Sequence, residues 1–174
     1  MSDSHGPRVV LVGPMGAGKT TVGRLLAERW GVPFRDTDDD VEQTEGRPIS
    51  EIFVDSGEEH FRALERSAVA RAVSEHSGVL AVGGGAVMAE ESRGVLRGRP
   101  VVFLRVGLTD AASRVGLGAA RPLLLGNVRG TLKALLDERT PVYESVATAV
   151  VDTDGLTPDE VADAVCAVLD EAPA

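Results

Sequence analysis

The 174-residue chain is long enough for one globular domain with a substantial core, and its composition shows no domain boundary. Eighteen basic and 27 acidic residues give a net charge of −9, which argues against a nucleic-acid or anionic-membrane partner because little positive surface can face phosphate. A single cysteine excludes an internal disulfide, and no apolar run approaches the roughly 20 residues that span a bilayer, so we expect a cytoplasmic protein.

Five short apolar runs predict buried strands, and helical patterns separate them along the chain. Most runs are rich in valine and do not alternate with polar residues, as expected when both faces of a parallel sheet are covered. This alternation indicates an α/β fold in which helices cover both faces of the sheet, giving three α/β/α layers. The strands are predicted over residues 8–12, 33–36, 79–83, 100–105 and 147–151, and the helices over 18–30, 38–45, 48–55, 58–76, 89–96, 109–115, 128–139 and 157–170.

The stretch GPMGAGKT, residues 13–20, fits the phosphate-binding pattern G-x-x-x-x-G-K-[ST] between the first predicted strand and the first predicted helix. Glycines let backbone N–H groups line a concave anion site, and the helix N-terminus adds partial positive charge. Lys19 is predicted to reach the β- and γ-phosphates of a nucleoside triphosphate, and the Thr20 hydroxyl to bind Mg²⁺. A plain glycine-rich turn with a surface lysine is disfavoured because the motif matches in its proper context.

The motif indicates the phosphate donor but leaves the acceptor open between a small-molecule kinase, a GTPase-type switch and a subunit of a larger machine. A switch usually carries an Asn-Lys-x-Asp segment that reads guanine, and this sequence has none. A machine subunit usually needs a longer chain and more partner surface. The small size and a predicted mobile loop over residues 116–126, GLGAARPLLLG, which suits a lid, therefore favour a kinase.

Two charged residues on the helix predicted over 58–76 stand out from its apolar pattern. Glu65 falls inside the apolar stripe, and Arg62 falls at its edge. A carboxylate in that position needs a partner, and an arginine held by it is suited to bind a carboxylate ligand. An ordinary ion pair on the helix surface is an equally weighted alternative.

Further candidate site residues lie after the third strand, in the predicted lid and at the end of a predicted helix. Gly83–Gly85 come directly after the strand, where ligands of open α/β sheets bind and bare backbone offers N–H donors, and a plain tight turn is the less favoured alternative. Arg121 is either an ordinary exposed arginine or a lid residue that brings positive charge onto a transferring phosphate. Arg139 lies at a predicted helix C-terminus, where a cation is favourable in any case.

The sequence resembles the shikimate kinases, a family with the nucleoside monophosphate kinase-like P-loop fold, over roughly residues 7–170. The resemblance is carried by GPMGAGKTTVGRLLA, DTD, GRPISEIF, GEEHFRALE, GGGAV, RPLL and RTPVYE, in this order and at matching spacing. It implies Mg²⁺- and ATP-dependent phosphorylation of the 3-hydroxyl of shikimate, on the way to chorismate. It also implies a five-stranded parallel sheet of order 2-3-1-4-5 in a single P-loop kinase domain over residues 1–174, with a lid at about 114–127 and a substrate-binding region at about 36–64.

The resemblance assigns roles to individual positions of this sequence. The catalytic residues implied are Asp38, Lys19 and Arg121. The ATP-binding residues implied are Gly16, Ala17, Gly18, Lys19, Thr20, Thr21 and Arg121. The shikimate-binding residues implied are Asp38, Arg62, Gly83, Gly84, Gly85 and Arg139, and the residues implied for magnesium are Thr20 and Asp36.

The acid run DTDDD divides on this basis. If the chain stays extended beyond the second strand, Asp36 and Asp38 point the same way into the crevice, and Thr37 turns away. Asp39 and Asp40 then fall in the first turn of the next helix, where the helix dipole favours a carboxylate by about 0.3–1 kcal/mol. Asp36 is predicted to serve the metal, and Asp38 to orient the acceptor hydroxyl and take its proton.

The sequence departs from the family pattern in two places. Asp154 and Gly155 stand after the last strand where many relatives carry a basic residue near the adenine, and the lid is unusually apolar around Arg121. The partners implied are ATP and shikimate, bound by a monomer without nucleic acid or membrane. The alternatives are a gluconate-type or nucleotide kinase of the same fold and a non-catalytic P-loop nucleotide-binding regulator.

Overall fold

The computed structural model describes residues 5–116 and 128–171, in which strands and helices alternate as predicted. No helix of these two ranges combines the length and the apolar character needed to cross a bilayer. The strands are β1 (Val9–Val12), β2 (Phe34–Asp36), β3 (Val79–Ala81), β4 (Val101–Arg105) and β5 (Ala149–Asp152). The helices are α1 (Lys19–Trp30), α2 (Thr37–Glu45), α3 (Ile49–Glu75), α4 (Glu90–Leu96), α5 (Leu108–Gly116), α6 (Val128–Val146) and α7 (Pro158–Glu171), with a 3₁₀ turn over Ala86–Met88.

The five strands form one parallel sheet of order β2-β3-β1-β4-β5, which confirms the predicted topology. Every residue of the central strand β1 is buried, and successive side chains point to opposite faces. Val9 and Leu11 pack with α1 and α7, whereas Val10 and Val12 pack with α3 and α4. The valine-rich runs therefore have the composition of strands covered on both faces.

Helix α3 is interrupted at Gly57, which has φ 85° and ψ 167°. Such a backbone conformation strongly favours glycine, so this residue separates the two helices predicted over 48–55 and 58–76. Residues from both halves of α3 pack with α2 in a third apolar cluster, away from the two clusters on the sheet. Its buried members are Val41, Ile52, Phe61 and Ala68.

Helix α6 continues past its predicted end at residue 139 to Val146, with Pro141 inside it. The proline lacks an N–H group, so the carbonyl of Asp137 loses its helical hydrogen bond. The last turn nevertheless forms because Tyr143 packs into the sheet cluster, where its side chain is fully buried. Arg139 consequently lies within a helix, and the prediction that it lies at a helix C-terminus is wrong.

The surroundings of two helical glycines predict opposite effects of an alanine substitution on stability. An added Cβ at Gly23 of α1 would lie 2.5 Å from the Phe34 ring of β2, whereas at Gly94 of α4 it would meet nothing within 4 Å. We expect Gly23→Ala to lower the free energy of unfolding by about 1 kcal/mol, since overpacking exceeds the gain in helix propensity. Gly94→Ala should raise it by about 0.5–1 kcal/mol. Urea unfolding of both variants measures this, and effects of the same sign would contradict the contrast.

Candidate active site

A cavity of about 720 Å³ lies beside the P-loop and beyond the carboxyl ends of β2 and β3. Ligands of open parallel sheets bind at this edge, and the volume suits small-molecule ligands. Most of the predicted site residues within the described ranges line it. Its walls include Gly16, Gly18, Lys19, Thr20, Thr21, Asp36, Asp38, Arg62, Gly84, Gly85 and Arg139, together with Glu65, Arg114 and the apolar residues Ile49, Phe53 and Phe61.

The P-loop holds its lysine against its own backbone. The Lys19 ammonium donates to the carbonyl oxygens of Gly13 at 2.6 Å and Pro14 at 3.0 Å. Ala17 is only 1% exposed, and its N–H donates to the Pro14 carbonyl at 3.2 Å. Ala17 therefore lies behind the cavity wall, and direct contact between this residue and ATP stays a prediction.

Asp36 joins the end of β2 to α1 and α2. It caps α2 by accepting a hydrogen bond from the Asp38 N–H at 2.9 Å, and its second oxygen accepts one from the Thr20 hydroxyl at 3.1 Å. Burial raises the pKa of Asp36, against the opposing effects of the Asp38 N–H and the Lys19 cation. Two hard oxygen atoms thus meet beside the P-loop.

This oxygen pair fits magnesium rather than a metal held entirely by protein. Across residues 5–116 and 128–171, no group of three or more His, Cys, Asp or Glu side chains is placed to hold an ion. Mg²⁺ commonly takes one or two protein oxygens and completes its shell with water and phosphate oxygens. Thr20 and Asp36 therefore suit an ion that arrives with a nucleotide.

The DTDDD run adopts a different backbone from the predicted one. Asp36 caps α2, and the helix begins at Thr37, one residue earlier than predicted. The expectation of an extended chain through Asp38 is therefore wrong. Thr37 is fully buried, and its hydroxyl accepts a hydrogen bond from the Gly83 N–H at 3.1 Å. Asp38 still reaches the cavity, from the first turn of the helix.

The last two acids of the run lie in the first helical turn, as predicted. Asp40 pairs with Arg35 at 2.7 Å, which ties α2 to β2. Asp39 is exposed at the rim of the cavity. These surroundings give neither acid a chemical role, because Asp40 forms a structural ion pair and Asp39 is a solvated charge.

A buried carboxylate pairs with Arg62 and lies near Arg139 in the cavity wall. Glu65 is 3% exposed, and its Oε1 lies 2.8 Å from Nη1 of Arg62. Arg139, from α6, is 7% exposed and close enough to act on the same carboxylate. Burial raises the pKa of Glu65, and Arg62 and Arg139 oppose that rise. Two guanidinium groups near one buried carboxylate leave positive charge available for an anionic ligand.

The raised pKa of Glu65 links stability to pH. The folded protein binds this proton more readily than the unfolded chain does, so the bound proton stabilises the fold. This stabilisation is fully present below the ordinary pKa of 4.5 and is lost as pH rises through the raised pKa. We expect the stability of the wild type, relative to the non-titrating Glu65→Gln variant, to fall across that window. Urea unfolding at several pH values measures the difference, and a rise with pH would contradict it.

The glycines after β3 allow charged side chains to approach the backbone. An added Cβ at Gly83 would lie 2.6 Å from Oδ1 of Asp38, and one at Gly85 would lie 2.5 Å from Nη1 of Arg62. Gly84 and Gly85 line the cavity, whereas Gly83 is buried behind Asp38. Because the Gly83 N–H is bonded to Thr37, a direct contact between Gly83 and a ligand stays a prediction.

Sequence reasoning missed the role of Tyr143, whose hydroxyl donates a short hydrogen bond to the Gly84 carbonyl. Burial raises the pKa of this hydroxyl to about 12, so it keeps its proton at any ordinary working pH. The ring packs on Phe103 of β4 with centroids 5.1 Å apart. The available signal was a tyrosine at helical spacing from Arg139 in RTPVYE, which is weak without the fold.

One further cavity residue, Arg114, was not predicted from the sequence, and one predicted residue, Arg121, lies outside the described ranges. Arg114 of α5 lines the cavity and donates to the Gly16 carbonyl at 2.9 Å. Arg121 belongs to the part of the chain that is not described, as does most of the predicted lid. The Asp154 carboxylate accepts a hydrogen bond from the Gly107 N–H at 2.9 Å, so it joins the loops after β4 and β5.

Three kinds of comparison with known proteins point to the same family. A family model described as shikimate kinase matches residues 15–170. The chain is 63% identical over 163 residues to a shikimate kinase from Salinispora arenicola, covering 94% of this chain and 98% of the relative. It is 60% identical over 158 residues to a shikimate kinase from Saccharopolyspora erythraea, covering 90% of each. The fold is similar to that of a shikimate kinase from Acinetobacter baumannii in complex with shikimate, with a TM-score of 0.91, 36% identity, and coverage of 97% of this chain and 95% of that one.

Proposed function

Because the chain belongs to the shikimate kinase family, we propose that its cavity carries out ATP-dependent phosphorylation of the 3-hydroxyl of shikimate, giving shikimate 3-phosphate and ADP. The observation that carries this proposal is that the P-loop, Asp38 and the Arg62–Glu65 pair meet in one cavity. Family membership argues against a gluconate-type or nucleotide acceptor. The retained Lys19 and Asp38 argue against a non-catalytic regulator.

The P-loop side binds the nucleotide. Lys19 and the backbone N–H groups from Gly16 to Thr21 would bind the phosphates at the N-terminus of α1, where the helix dipole favours negative charge. Thr20 and Asp36 would hold Mg²⁺. When bound, this ion neutralises phosphate charge and orients the phosphate oxygens. Arg121 would add positive charge from the lid.

The opposite wall binds the acceptor. Arg62 and Arg139 would bind the shikimate carboxylate, because both line the cavity and only one buried carboxylate, Glu65, lies between them as a counter-charge for Arg62. Gly84 and Gly85 present bare backbone to the ligand. The carbon ring would pack on the apolar part of the wall, formed by Ile49, Phe53 and Phe61.

Asp38 then acts at the reacting atom. Its carboxylate would accept a hydrogen bond from the 3-hydroxyl and take its proton as the oxygen forms a bond to the γ-phosphorus of ATP. The bond from that phosphorus to the β–γ bridging oxygen breaks, and ADP leaves. This transition state is loose, so most of the acceleration comes from alignment and charge stabilisation by Lys19 and the arginines.

The remaining proposals concern the location, the oligomeric state and the partners of the protein. We propose that the protein works as a cytoplasmic monomer on ATP and shikimate, without nucleic acid. The net charge of −9 argues against a nucleic-acid partner, and the single cysteine suits a reducing cytoplasm. Analytical ultracentrifugation measures the oligomeric state, and a concentration-dependent dimer would contradict the monomer.

A coupled assay of ADP release tests the function directly. Purified protein with ATP and Mg²⁺ should release ADP when shikimate is added and should release little with gluconate or a nucleoside monophosphate. Mass spectrometry should detect shikimate 3-phosphate. If ADP release did not depend on shikimate while another acceptor was phosphorylated, the proposed substrate would be wrong.

A further inference from the structure

Two buried hydroxyl groups hold the Gly83–Gly84 segment from opposite sides. The Thr37 hydroxyl of α2 accepts the Gly83 N–H at 3.1 Å, and the Tyr143 hydroxyl of α6 donates to the Gly84 carbonyl. Both side chains are fully buried, so water does not compete for either bond. The partners are 46 and 59 residues apart in the chain, which means that these bonds connect separate elements.

Thr37 connects this segment to the acids of α2. It stands between Asp36 and Asp38 at the start of the helix, and the Asp38 carboxylate lies directly over Gly83. Loss of the hydroxyl would leave the buried Gly83 N–H without its partner and free the helix start to shift. The position of Asp38 relative to the backbone after β3 thus depends on Thr37.

Tyr143 connects the same segment to the acceptor arginine. It lies one helical turn after Arg139 on α6, and its ring is fixed against Phe103. An added Cβ at Gly84 would lie 3.7 Å from Nη1 of Arg139, so the bonded carbonyl and the guanidinium share one small region. The tyrosine therefore sets the distance between α6 and the glycine backbone.

We propose that Thr37 and Tyr143 are positioning residues that fix the Gly83–Gly84 backbone, and with it Asp38 and Arg139, in the geometry that binds and aligns the acceptor. This inference rests on the proposed function, since it concerns the same acceptor. The Gly83 carbonyl accepts the Ala86 N–H at 3.0 Å, so the segment is also bonded on its third side. Neither hydroxyl lines the cavity, which separates these residues from those that touch ligand.

Three conservative variants test the proposal. Thr37→Val keeps the shape and removes the hydroxyl, Thr37→Ser keeps the hydroxyl, and Tyr143→Phe removes only the phenolic oxygen. We expect Thr37→Val and Tyr143→Phe to raise the KM for shikimate at least about tenfold while the KM for ATP changes less than about twofold. Thr37→Val should also lower kcat, because it acts next to Asp38, and Thr37→Ser should restore both constants. The double variant should lose less than the product of the single losses, since both act on one backbone segment.

Circular dichroism and thermal unfolding confirm that each variant is folded, and Tyr143→Phe suffices for the test if Thr37→Val does not fold. A parallel rise of the shikimate and ATP constants would show a general structural role and overturn the proposal. Unchanged kinetics in a folded Tyr143→Phe would overturn it as well. Absence of shikimate-dependent turnover in the wild type would instead overturn the proposed function, so the two failures are distinguishable.

Discussion

Asp38→Asn is expected to lower kcat for shikimate phosphorylation by about 10²–10⁴-fold, which is the range that a positioned proton acceptor contributes. The amide keeps the size of the side chain but cannot take the proton of the attacking hydroxyl at neutral pH. The carboxylate reaches the cavity from the first turn of α2, where the Asp36 cap fixes its backbone N–H. Steady-state kinetics at saturating ATP and shikimate measure the loss.

Asp39→Asn is the matched control for this substitution. It makes the same chemical change one residue later, at an exposed position on the rim of the same cavity. We expect less than about fivefold change in kcat, because the Asp39 carboxylate is solvated and its interaction with the helix dipole, about 0.3–1 kcal/mol, contributes to helix stability and not to the reaction. Similar losses in the two variants would show that net charge matters and that Asp38 has no separate role.

Arg62→Ala is expected to remove shikimate binding while nucleotide binding survives. Truncation takes away the fork for the ligand carboxylate and leaves the buried Glu65 without the partner that lies 2.8 Å away. Losing one partner of the charge pair between Arg62 and the ligand carboxylate should cost about 2–5 kcal/mol, or roughly 30- to 4,000-fold in affinity. Isothermal titration calorimetry with shikimate, and separately with a non-hydrolysable ATP analogue, measures both affinities.

Two further variants separate charge from geometry at this position. Arg62→Lys keeps the positive charge without the planar fork, so its shikimate affinity should fall between those of the wild type and Arg62→Ala. Arg71→Ala removes an arginine from an exposed position on the same helix, and both affinities should stay within about twofold. If Arg62→Ala weakened shikimate and nucleotide equally, the arginine would be supporting the fold and not the acceptor site.

The sheet and the P-loop were predictable because their signals are local. Buried parallel strands require apolar runs such as RVVLV, and a phosphate loop requires glycines, a lysine and a hydroxyl at fixed spacing. The order of the strands is not a local property, and it came from the resemblance to a family. The partner of Glu65 was also predictable, because Arg62 lies one helical turn away and a carboxylate in an apolar stripe needs a counter-charge.

The errors lie where a tertiary contact or a cap decides the local structure. Asp36 caps α2, so the extended chain expected through Asp38 became a helix. The helix predicted over 128–139 continues to Val146, because burial of Tyr143 outweighs the hydrogen bond lost at Pro141. The contacts of Thr37 and Tyr143 with the glycine segment join residues 46 and 59 positions apart, and no periodicity encodes such pairs.

The third apolar cluster gives the molecule a modular construction. Val41, Ile52 and Phe61 belong to a separate core beneath the part of the cavity wall that is proposed to bind the acceptor. The P-loop, in contrast, packs against the clusters of the sheet. The break at Gly57 lies within the helix that carries the acceptor wall. Changes to the apolar part of the proposed acceptor wall, which Ile49, Phe53 and Phe61 form, can therefore be absorbed within this cluster without repacking the strands, so this part of the wall can vary while the P-loop stays constant.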